Sequence, residues 1–309
     1  MPNTLITKEP SRALLIAAFA AIYIIWGSTY IAILIAIKDI PPLLMAGSRF
    51  MIAGILLFVF CKLKGESIPD KKSILNISFS GVLMLFFGTG AVAWVEQYIA
   101  SGLTATIVAT LPLWFVILDK SQWKFHFTNA GIIIGLLVGF AGVFTLFADG
   151  KAFNLSGGGI KVICFFILIF GTVSWAVGSL YSKYKPVEGS TGMKASIQML
   201  AAGICFYIAS PFVDNYDHLI KSGVSTHAVT ALLYLVLFGS LVGYMAYVWL
   251  LSVRSPALVG TYAYVNPIVA VFLGWLIAKE PITGQQMIAL IVILSGVLLV
   301  AFSKEKKIK

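Results

Sequence analysis

The stretch SGLTATIVATLPL, residues 101–113, returns in altered form as PALVGTYAYVNPI, residues 256–268. Aligned without gaps, the two segments superpose a leucine, a threonine and a proline at one offset of 155 residues, for example from Pro112 to Pro267. A fixed period over such a distance indicates a duplicated structural unit. The chain is therefore predicted to consist of two related halves.

Both segments lie in strongly apolar surroundings. The chain is 60% hydrophobic and only 11% charged, with a mean hydropathy of +0.97, whereas soluble domains have about 25% charged residues. The apolar residues form runs of about 20, long enough to span a hydrocarbon core of roughly 30 Å. Backbone in lipid must satisfy its own polar groups, and the runs are too long for barrel strands, so each run is predicted to be a helix.

The predicted fold class is an all-α polytopic membrane protein with ten transmembrane helices arranged as two inverted five-helix repeats. The runs are Ala13–Ile37, Leu43–Cys61, Ile74–Ile99, Leu103–Leu118, Ala130–Phe147, Ile160–Tyr181, Met193–Val213, Ala228–Leu251, Ala257–Ala278 and Met287–Phe302. Five helices per half is an odd number, so the second half must lie upside-down relative to the first, as in many secondary transporters. The predicted repeats are residues 12–147 and 158–303.

The distribution of basic residues predicts the orientation. Ten spans place both termini on one side, and all but six of the 22 lysines and arginines then fall on that side. The exceptions are Lys38, Arg49, Lys151, Lys161, Lys221 and Lys279. Positive residues favour the cytoplasm, so both termini are predicted to be cytoplasmic in the plasma or inner membrane. The net charge of +10 does not indicate nucleic-acid binding, because the basic residues are spread through short connectors.

Several short motifs in this order resemble those of the EamA branch of the drug/metabolite transporter superfamily, over nearly the whole chain. They are Trp26-Gly27-Ser28-Thr29, Arg49-Phe50, Ala93-Trp94-Val95-Glu96-Gln97, Ser101-Gly102, Pro112-Leu113-Trp114, Asn266-Pro267, Gly284 and Gly296-Val297. One departure is that Glu280 in the second half has Phe125 as its counterpart in the first. The resemblance implies an exporter of amino acids or related metabolites. It also implies alternating access around a cavity formed by spans one, three, four, six, eight and nine.

Glu96 is the acidic residue predicted to lie deepest in an apolar run. Burying an ionised carboxylate in lipid costs roughly 2 to 3 kcal/mol or more, so such a residue is expected to face a cavity. It could then exchange a proton or bind the amine of a substrate. A wetted carboxylate at the membrane interface is the alternative.

Two prolines in matching places predict helix kinks. Proline frees the carbonyl four residues earlier and bends the helix, and broken helices are where transporter sites form. Thr110, two residues before Pro112, and Asn266, directly before Pro267, are therefore candidate binding residues. Kinks that only shape packing are the alternative.

The chain is rich in aromatic residues within its apolar runs. Trp26 and Trp175 lie deep in their spans and are related by the repeat, so they are predicted to line a cavity, whereas most others are expected in interfacial belts or the core. The complete predicted substrate-binding set is Trp26, Tyr30, Glu96, Thr110, Trp175, Tyr262 and Asn266. The stripe Gly131, Gly135 and Gly139 is predicted to pack within the chain rather than to form a dimer face.

Patterns that resemble enzyme motifs are weak. Residues 88–93 imitate a dinucleotide fingerprint but lie inside a span without a preceding strand, and the acidic cluster Asp214–Asp217 is a single copy. No catalytic residue, cofactor or metal is therefore predicted. An aromatic cavity with few fixed cations favours a neutral or zwitterionic small-molecule substrate over a phosphorylated one. The expected partners are this substrate and the lipid bilayer, with the chain a monomer or weak homodimer. A membrane-embedded enzyme and a non-transporting scaffold remain alternatives.

Overall fold

The structure, a computed structural model, describes residues 10–99, 101–146, 159–278 and 284–303, and all regular elements in these ranges are helical. The helices are α1, Arg12–Ala36; α2, Pro42–Leu63; α3, Lys71–Val95; α4, Ser101–Val108; α5, Leu111–Leu118; α6, Trp123–His126; α7, Ala130–Leu146; α8, Gly159–Tyr184; α9, Thr191–Val213; α10, Asp217–Ser222; α11, Thr226–Val253; α12, Pro256–Val259; α13, Tyr262–Ala278; and α14, Gly284–Phe302. The predicted all-helical class is confirmed for these residues.

The starts of the long helices follow from local sequence. The side chains of Ser11, Asp70, Ser190 and Ser225 accept hydrogen bonds from backbone N–H groups in the first turns of α1, α3, α9 and α11. Such caps satisfy donors that have no partner within the helix. Each cap marks the point where a polar connector gives way to an apolar run.

Within the described residues, six helices are long and apolar enough to cross a bilayer: α1, α2, α3, α8, α9 and α11. Lys120–His126 and Ala130–Thr145 form a further candidate if the two are counted as one span, with a bend of 98° between them. Multiple membrane spans are therefore established, and the predicted total of ten stays a prediction.

Two of the long helices contain π-helical segments, which the sequence analysis does not predict. They are Val82–Thr89 in α3 and Leu235–Tyr244 in α11. Their last residues, Thr89 and Tyr244, are 155 positions apart, which is also the offset between the duplicated segments. A π-helical turn is wider than an α-helical one and often occurs at functional sites. Related positions of the two halves therefore share an unusual backbone geometry.

Helix contacts follow a reciprocal pattern between the halves. α2 packs along α9, and α7 packs along α14. α1 contacts α11 and α13, while α8 makes the corresponding contacts with α3 and α5. These contacts therefore have counterparts when the two halves are exchanged, as a pseudo-two-fold axis would produce.

The glycine stripe of α7 packs against α14. A Cβ atom added at Gly135 would lie 2.9 Å from the carbonyl oxygen of Gly296, and one added at Gly296 would lie 2.4 Å from the backbone nitrogen of Gly139. Small residues permit this close backbone approach. The prediction that the stripe packs within the chain is confirmed.

One end of the bundle, here named the basic end, joins the connectors that follow α2, α5, α8 and α11. The hydroxyl of Tyr184 donates to Asp119 at 2.7 Å, and the Lys183 Nζ atom donates to the carbonyl oxygens of Leu251 and Arg254 at 2.7 and 2.8 Å. Most of the described basic residues lie at this end: Arg12, Lys62, Lys64, Lys71, Lys72, Lys120, Lys124, Lys183, Lys185, Lys194 and Arg254. The uneven distribution of basic residues predicted from the sequence is therefore also found between the two ends of the folded bundle.

The opposite end is held by two aspartates. Asp214 accepts hydrogen bonds from the backbone N–H groups of Leu43 and Leu44 at 3.2 and 2.9 Å. Asp39 accepts from the backbone N–H of Ser225 at 3.0 Å and lies 3.3 Å from His218. Hydrogen bonds from Ser225 chiefly, with a smaller effect of His218, lower the pKa of Asp39. These contacts connect the first helices to those of the second half.

Candidate functional site

A cavity lies between helices of both halves. Its volume is about 90 Å³, and since about 10–15 Å³ suffices for one water molecule, it can hold several waters or a small organic solute. The lining residues are Trp26, Thr29, Tyr30, Ile33, Arg49, Phe50, Leu85, Gly88, Thr89, Val92, Val108, Leu111, Leu168, Gly171, Thr172, Trp175, Gly239, Tyr244, Tyr262 and Asn266. They come from α1, α2, α3, α4, α5, α8, α11 and α13, so α2 joins the helices that the resemblance implies.

Aromatic rings form one wall of this cavity. Trp26 packs edge-to-face on Trp175 and Tyr262, with ring centroids 5.6 and 4.7 Å apart. Tyr247, behind them in the core, lies 5.1 Å from the ring of Trp26 and 5.4 Å from that of Trp175. Such contacts add to the energy of apolar burial and restrict ring orientation. The wall is therefore a rigid apolar surface.

Hydrogen bonds orient the two tryptophans. The Nε1 atom of Trp26 donates to the Gly239 carbonyl at 3.0 Å, within the π-helical segment of α11. The Nε1 atom of Trp175 donates to the Tyr247 hydroxyl at 2.8 Å, and that hydroxyl also lies 2.7 Å from the Ser179 hydroxyl. Buried polar groups are costly unless they are paired, so each of these bonds favours a single ring position.

The polar side of the site includes Tyr30, Asn266 and Glu96. Tyr30 and Asn266 line the cavity, and Tyr30 interacts with the Asn266 side chain and with the Glu96 carboxylate. Glu96 is 5% exposed and directly follows α3. It is not among the residues that line the cavity, but it interacts electrostatically with Tyr30, which is. Asn266 Oδ1 is buried and accepts no hydrogen bond from the described residues.

The surroundings of Thr110 and of the two prolines are not symmetric between the two halves. The Thr110 hydroxyl donates to the Ile107 carbonyl and accepts from Trp114 Nε1, at 2.7 and 3.1 Å, and Thr110 does not line the cavity. Pro112 stands in the first turn of α5, after a helix break. Pro267 lies inside α13, which continues through it. The break and the continuous helix thus give the prolines different surroundings.

Arg49 lines the cavity and is not among the binding residues predicted from the sequence. It is 5% exposed, its Nε atom donates to the Ser240 hydroxyl at 2.8 Å, and its guanidinium lies 4.8 Å from the Phe50 ring centroid. A single charge inside an apolar run is the signal that could have identified it. It is the one charged residue among the described residues that line the cavity.

Other lining residues are also absent from the predicted set. Thr29 and Thr172 are buried, and their hydroxyls donate to the carbonyls of Trp26 and Leu168 at 2.7 Å. Tyr244, expected from the sequence in a belt or in the core, donates to Gln198 Oε1 at 2.9 Å. Threonine hydroxyls bonded in this way give no sequence signal, since they are common in any membrane helix.

Comparisons with known proteins identify the family of this chain. The profile of the EamA-like transporter family matches residues 12–148 and again residues 162–302. The chain is 38% identical over 300 residues to the uncharacterized inner membrane transporter YedA of Escherichia coli K12, covering 94% of this chain and 91% of that one. It is 24% identical over 289 residues to the probable amino-acid metabolite efflux pump of the same organism, covering 91% and 92%.

A solved structure supports the fold independently. A crystal structure with 16% sequence identity superposes with a TM-score of 0.73, covering 94% of this chain and 98% of the other. The family profile matches both halves of the chain, and the sequence similarity to YedA extends over almost its whole length. The chain therefore belongs to the EamA-like transporter family of the drug/metabolite transporter superfamily.

Proposed function

We propose that this transporter exports a small neutral or zwitterionic metabolite, such as an amino acid, from the cytoplasm by alternating access. The observation that carries the proposal is the cavity, to which α1, α3 and α5 of the first half and α8, α11 and α13 of the second all contribute. A site between two repeats can be opened to either side by rocking one repeat against the other. Its volume and its aromatic wall suit a small organic solute.

Alternating access requires halves that can exchange roles, and the proposal is that ten spans form two inverted repeats. The two matches of the family profile, the reciprocal helix contacts and the paired π-helical segments support this. The repeats are proposed to be residues 12–147 and 158–303. No ATP-binding loop is present in the sequence, so a gradient of solute or ions is the proposed energy source.

The proposed orientation places the basic end and both termini in the cytoplasm. The positive-inside rule supports it, because basic residues are concentrated at one end of the bundle. The name of the Escherichia coli relative YedA supports the inner membrane as the location. The proposal treats the protein as a monomer or weak homodimer.

The substrate class is proposed from the lining. Trp26, Trp175 and Tyr262 offer aromatic faces, and Tyr30 and Asn266 offer polar groups. Phosphorylated solutes usually require several cations, which this lining does not contain among its described residues. The name of the relative called a probable amino-acid metabolite efflux pump supports amino acids or their derivatives.

The test is flux of radiolabelled amino acids in proteoliposomes that contain the purified protein. Each member of the panel is measured with and without an imposed pH gradient. Saturable flux of at least one amino acid, reduced by a Trp26→Ala substitution, is the expected result. Absence of flux for every solute, with a folded protein, would refute transport of this class and would favour a scaffold or an enzyme.

Coupling to protons is proposed to involve Glu96, whose carboxylate interacts with the cavity residue Tyr30. Glu96→Gln keeps the shape of the side chain but cannot change charge. With coupling through this group, the variant exchanges solute across the membrane yet no longer responds to a pH gradient. Normal affinity together with a normal pH response would show that Glu96 has no such role.

A further inference from the structure

We propose that the guanidinium of Arg49 binds the carboxylate of the transported solute, and that Asn266 accepts a hydrogen bond from its ammonium group. This assignment deepens the proposed transport function and rests on it. It makes the solute an α-amino acid or a close analogue that carries both groups. Both residues line one cavity. Among the described residues, the guanidinium of Arg49 has no carboxylate partner and the Oδ1 atom of Asn266 has no hydrogen-bond donor.

The charge of Arg49 is uncompensated in the described structure. No ion pair of Arg49 is found among the described residues, so none of their carboxylate oxygens lies within 4.0 Å of the guanidinium. A buried cation in a membrane span is costly unless it pairs with an anion or contacts water. Retention of such a cation on a cavity wall is explained when a solute anion occupies the cavity.

The guanidinium is oriented but keeps most of its donors available. Of its five N–H groups, only Nε–H has a hydrogen-bond acceptor among the described residues, the Ser240 hydroxyl. A Cβ atom added at Gly239 would lie 2.8 Å from Nη2. The planar group therefore sits against a glycine, supported by Phe50 and Ser240, with its Nη atoms free to form the paired bonds that a carboxylate accepts.

The residue at the same distance from the start of α9 carries no charge. Arg49 is the seventh residue after the start of α2, and Gln198 is the seventh after the start of α9, the helix that packs along α2. Gln198 donates to the Ser80 hydroxyl at 2.8 Å and accepts from Tyr244 at 2.9 Å. Its hydrogen bonds are satisfied within the protein. A merely structural role would be met by such an amide, so the cation in the first half needs another explanation.

Asn266 is the second residue of the proposed recognition of the solute. Its side chain is 2% exposed, and its Oδ1 atom accepts no hydrogen bond from the described residues. Buried acceptors without donors are rare in folded proteins and call for a ligand or an unseen water. An ammonium group supplies three donors. A zwitterion would thus satisfy Arg49 and Asn266 together, while its side chain packs on the aromatic wall.

The experiment is a binding titration of the full chain in lipid nanodiscs, read by tryptophan fluorescence and by thermal stabilisation. The probes are the L-amino acids, their amides, which lack the carboxylate, and the matching deaminated carboxylic acids. We expect at least one amino acid to bind, with its amide and its deaminated acid each roughly 10- to 100-fold weaker. Arg49→Gln should weaken the amino acid by a similar factor and leave the amide unchanged. Asn266→Leu should weaken the amino acid but not the deaminated acid.

Two further variants keep the outcome decisive. Arg49→Lys retains the charge without the planar fork and should bind with intermediate affinity. Ser240→Ala removes the acceptor of Nε–H and should weaken binding of the amino acid several-fold. It replaces Arg49→Gln as the test if that variant does not fold. Arg254→Gln, which makes the same change in net charge outside the cavity, is the matched control and should bind as the wild type does.

Equal binding of amino acids and their amides by the wild type would overturn the assignment. A loss of affinity in Arg49→Gln that is the same for the amino acid and for its amide would also overturn it. Failure of every probe to bind the wild type would overturn it as well. Carboxylate-dependent binding through Arg49 without any flux in proteoliposomes would instead leave the assignment standing and refute the transport function. The two proposals therefore fail in different ways.

Discussion

Replacing Tyr247 with phenylalanine should destabilise the folded protein, although the change removes a single oxygen atom. That hydroxyl accepts a hydrogen bond from Trp175 Nε1 at 2.8 Å and lies 2.7 Å from the Ser179 hydroxyl. Both rings are buried. In the variant the indole N–H is left in an apolar environment without its acceptor.

The magnitude follows from which groups lose a partner. The Ser179 hydroxyl still donates to the Trp175 carbonyl at 2.7 Å, so the missing contact with Tyr247 costs Ser179 little free energy. The Trp175 N–H loses its only hydrogen bond among the described residues, and an unsatisfied buried donor costs about 1–3 kcal/mol. The phenylalanine ring keeps the packing on Trp26 and creates no cavity. The free energy of unfolding is therefore expected to fall by about 1–3 kcal/mol.

Tyr262 offers the matched control. Its ring packs on the same tryptophan, at 4.7 Å from Trp26 compared with 5.1 Å for Tyr247, but its hydroxyl forms no hydrogen bond with the described residues. Tyr262→Phe should change stability by no more than about 0.5 kcal/mol. Reversible unfolding in mixed micelles, followed by tryptophan fluorescence, measures both variants. Equal effects of the two substitutions would refute the hydrogen-bond explanation.

Three further outcomes can be checked. Pro267→Ala should slow flux in proteoliposomes while insertion is retained, whereas Pro112→Ala should have little effect because proline in a first helical turn removes no intrahelical hydrogen bond. The lowered pKa of Asp39 gives stability that is present above its unfolded value, about 3.9, and is lost as pH falls through the folded pKa. In Asp39→Asn, the thermal stability should no longer show this contribution to its pH dependence. Thermal unfolding of the wild type and the variant between about pH 3 and 6, a range around the unfolded pKa, measures it. Reporters fused after Lys64 should be cytoplasmic and those after Lys221 external; the reverse would refute the orientation.

The membrane class and part of the cavity wall could be predicted from the sequence, because both follow from composition and position. Trp26 and Trp175 are bulky residues in the middle of apolar runs, and the structure brings both to the cavity. Tyr30, Tyr262 and Asn266 also line it. Their roles in binding remain predictions, since their location alone does not test them.

Other features depend on tertiary geometry that the sequence does not encode locally. Thr110 is a candidate because it lies just before Pro112, yet its hydroxyl donates to the Ile107 carbonyl and accepts from Trp114 Nε1 at a helix break. The π-helical segments lie in runs whose hydropathy does not differ from that of an α-helix. The energy that widens a turn comes from packing against neighbouring helices rather than from residue propensity.

The π-helical segment of α11 brings the two kinds of recognition together. Its residues Gly239 and Ser240 accept hydrogen bonds from Trp26 and Arg49, so one irregular stretch orients both an aromatic face and a cation. The π-helical segment of α3 has no such pair among the described residues. Trp175 Nε1 donates to the Tyr247 hydroxyl, and Gln198, which is as far from the start of α9 as Arg49 is from the start of α2, bonds to Ser80 and Tyr244. If the two halves are inverted repeats, as proposed, they can thus form a site whose charge is not symmetric between them. Under the proposed mechanism the solute keeps one orientation while the surrounding helices exchange roles, since its carboxylate has a partner on α2 alone.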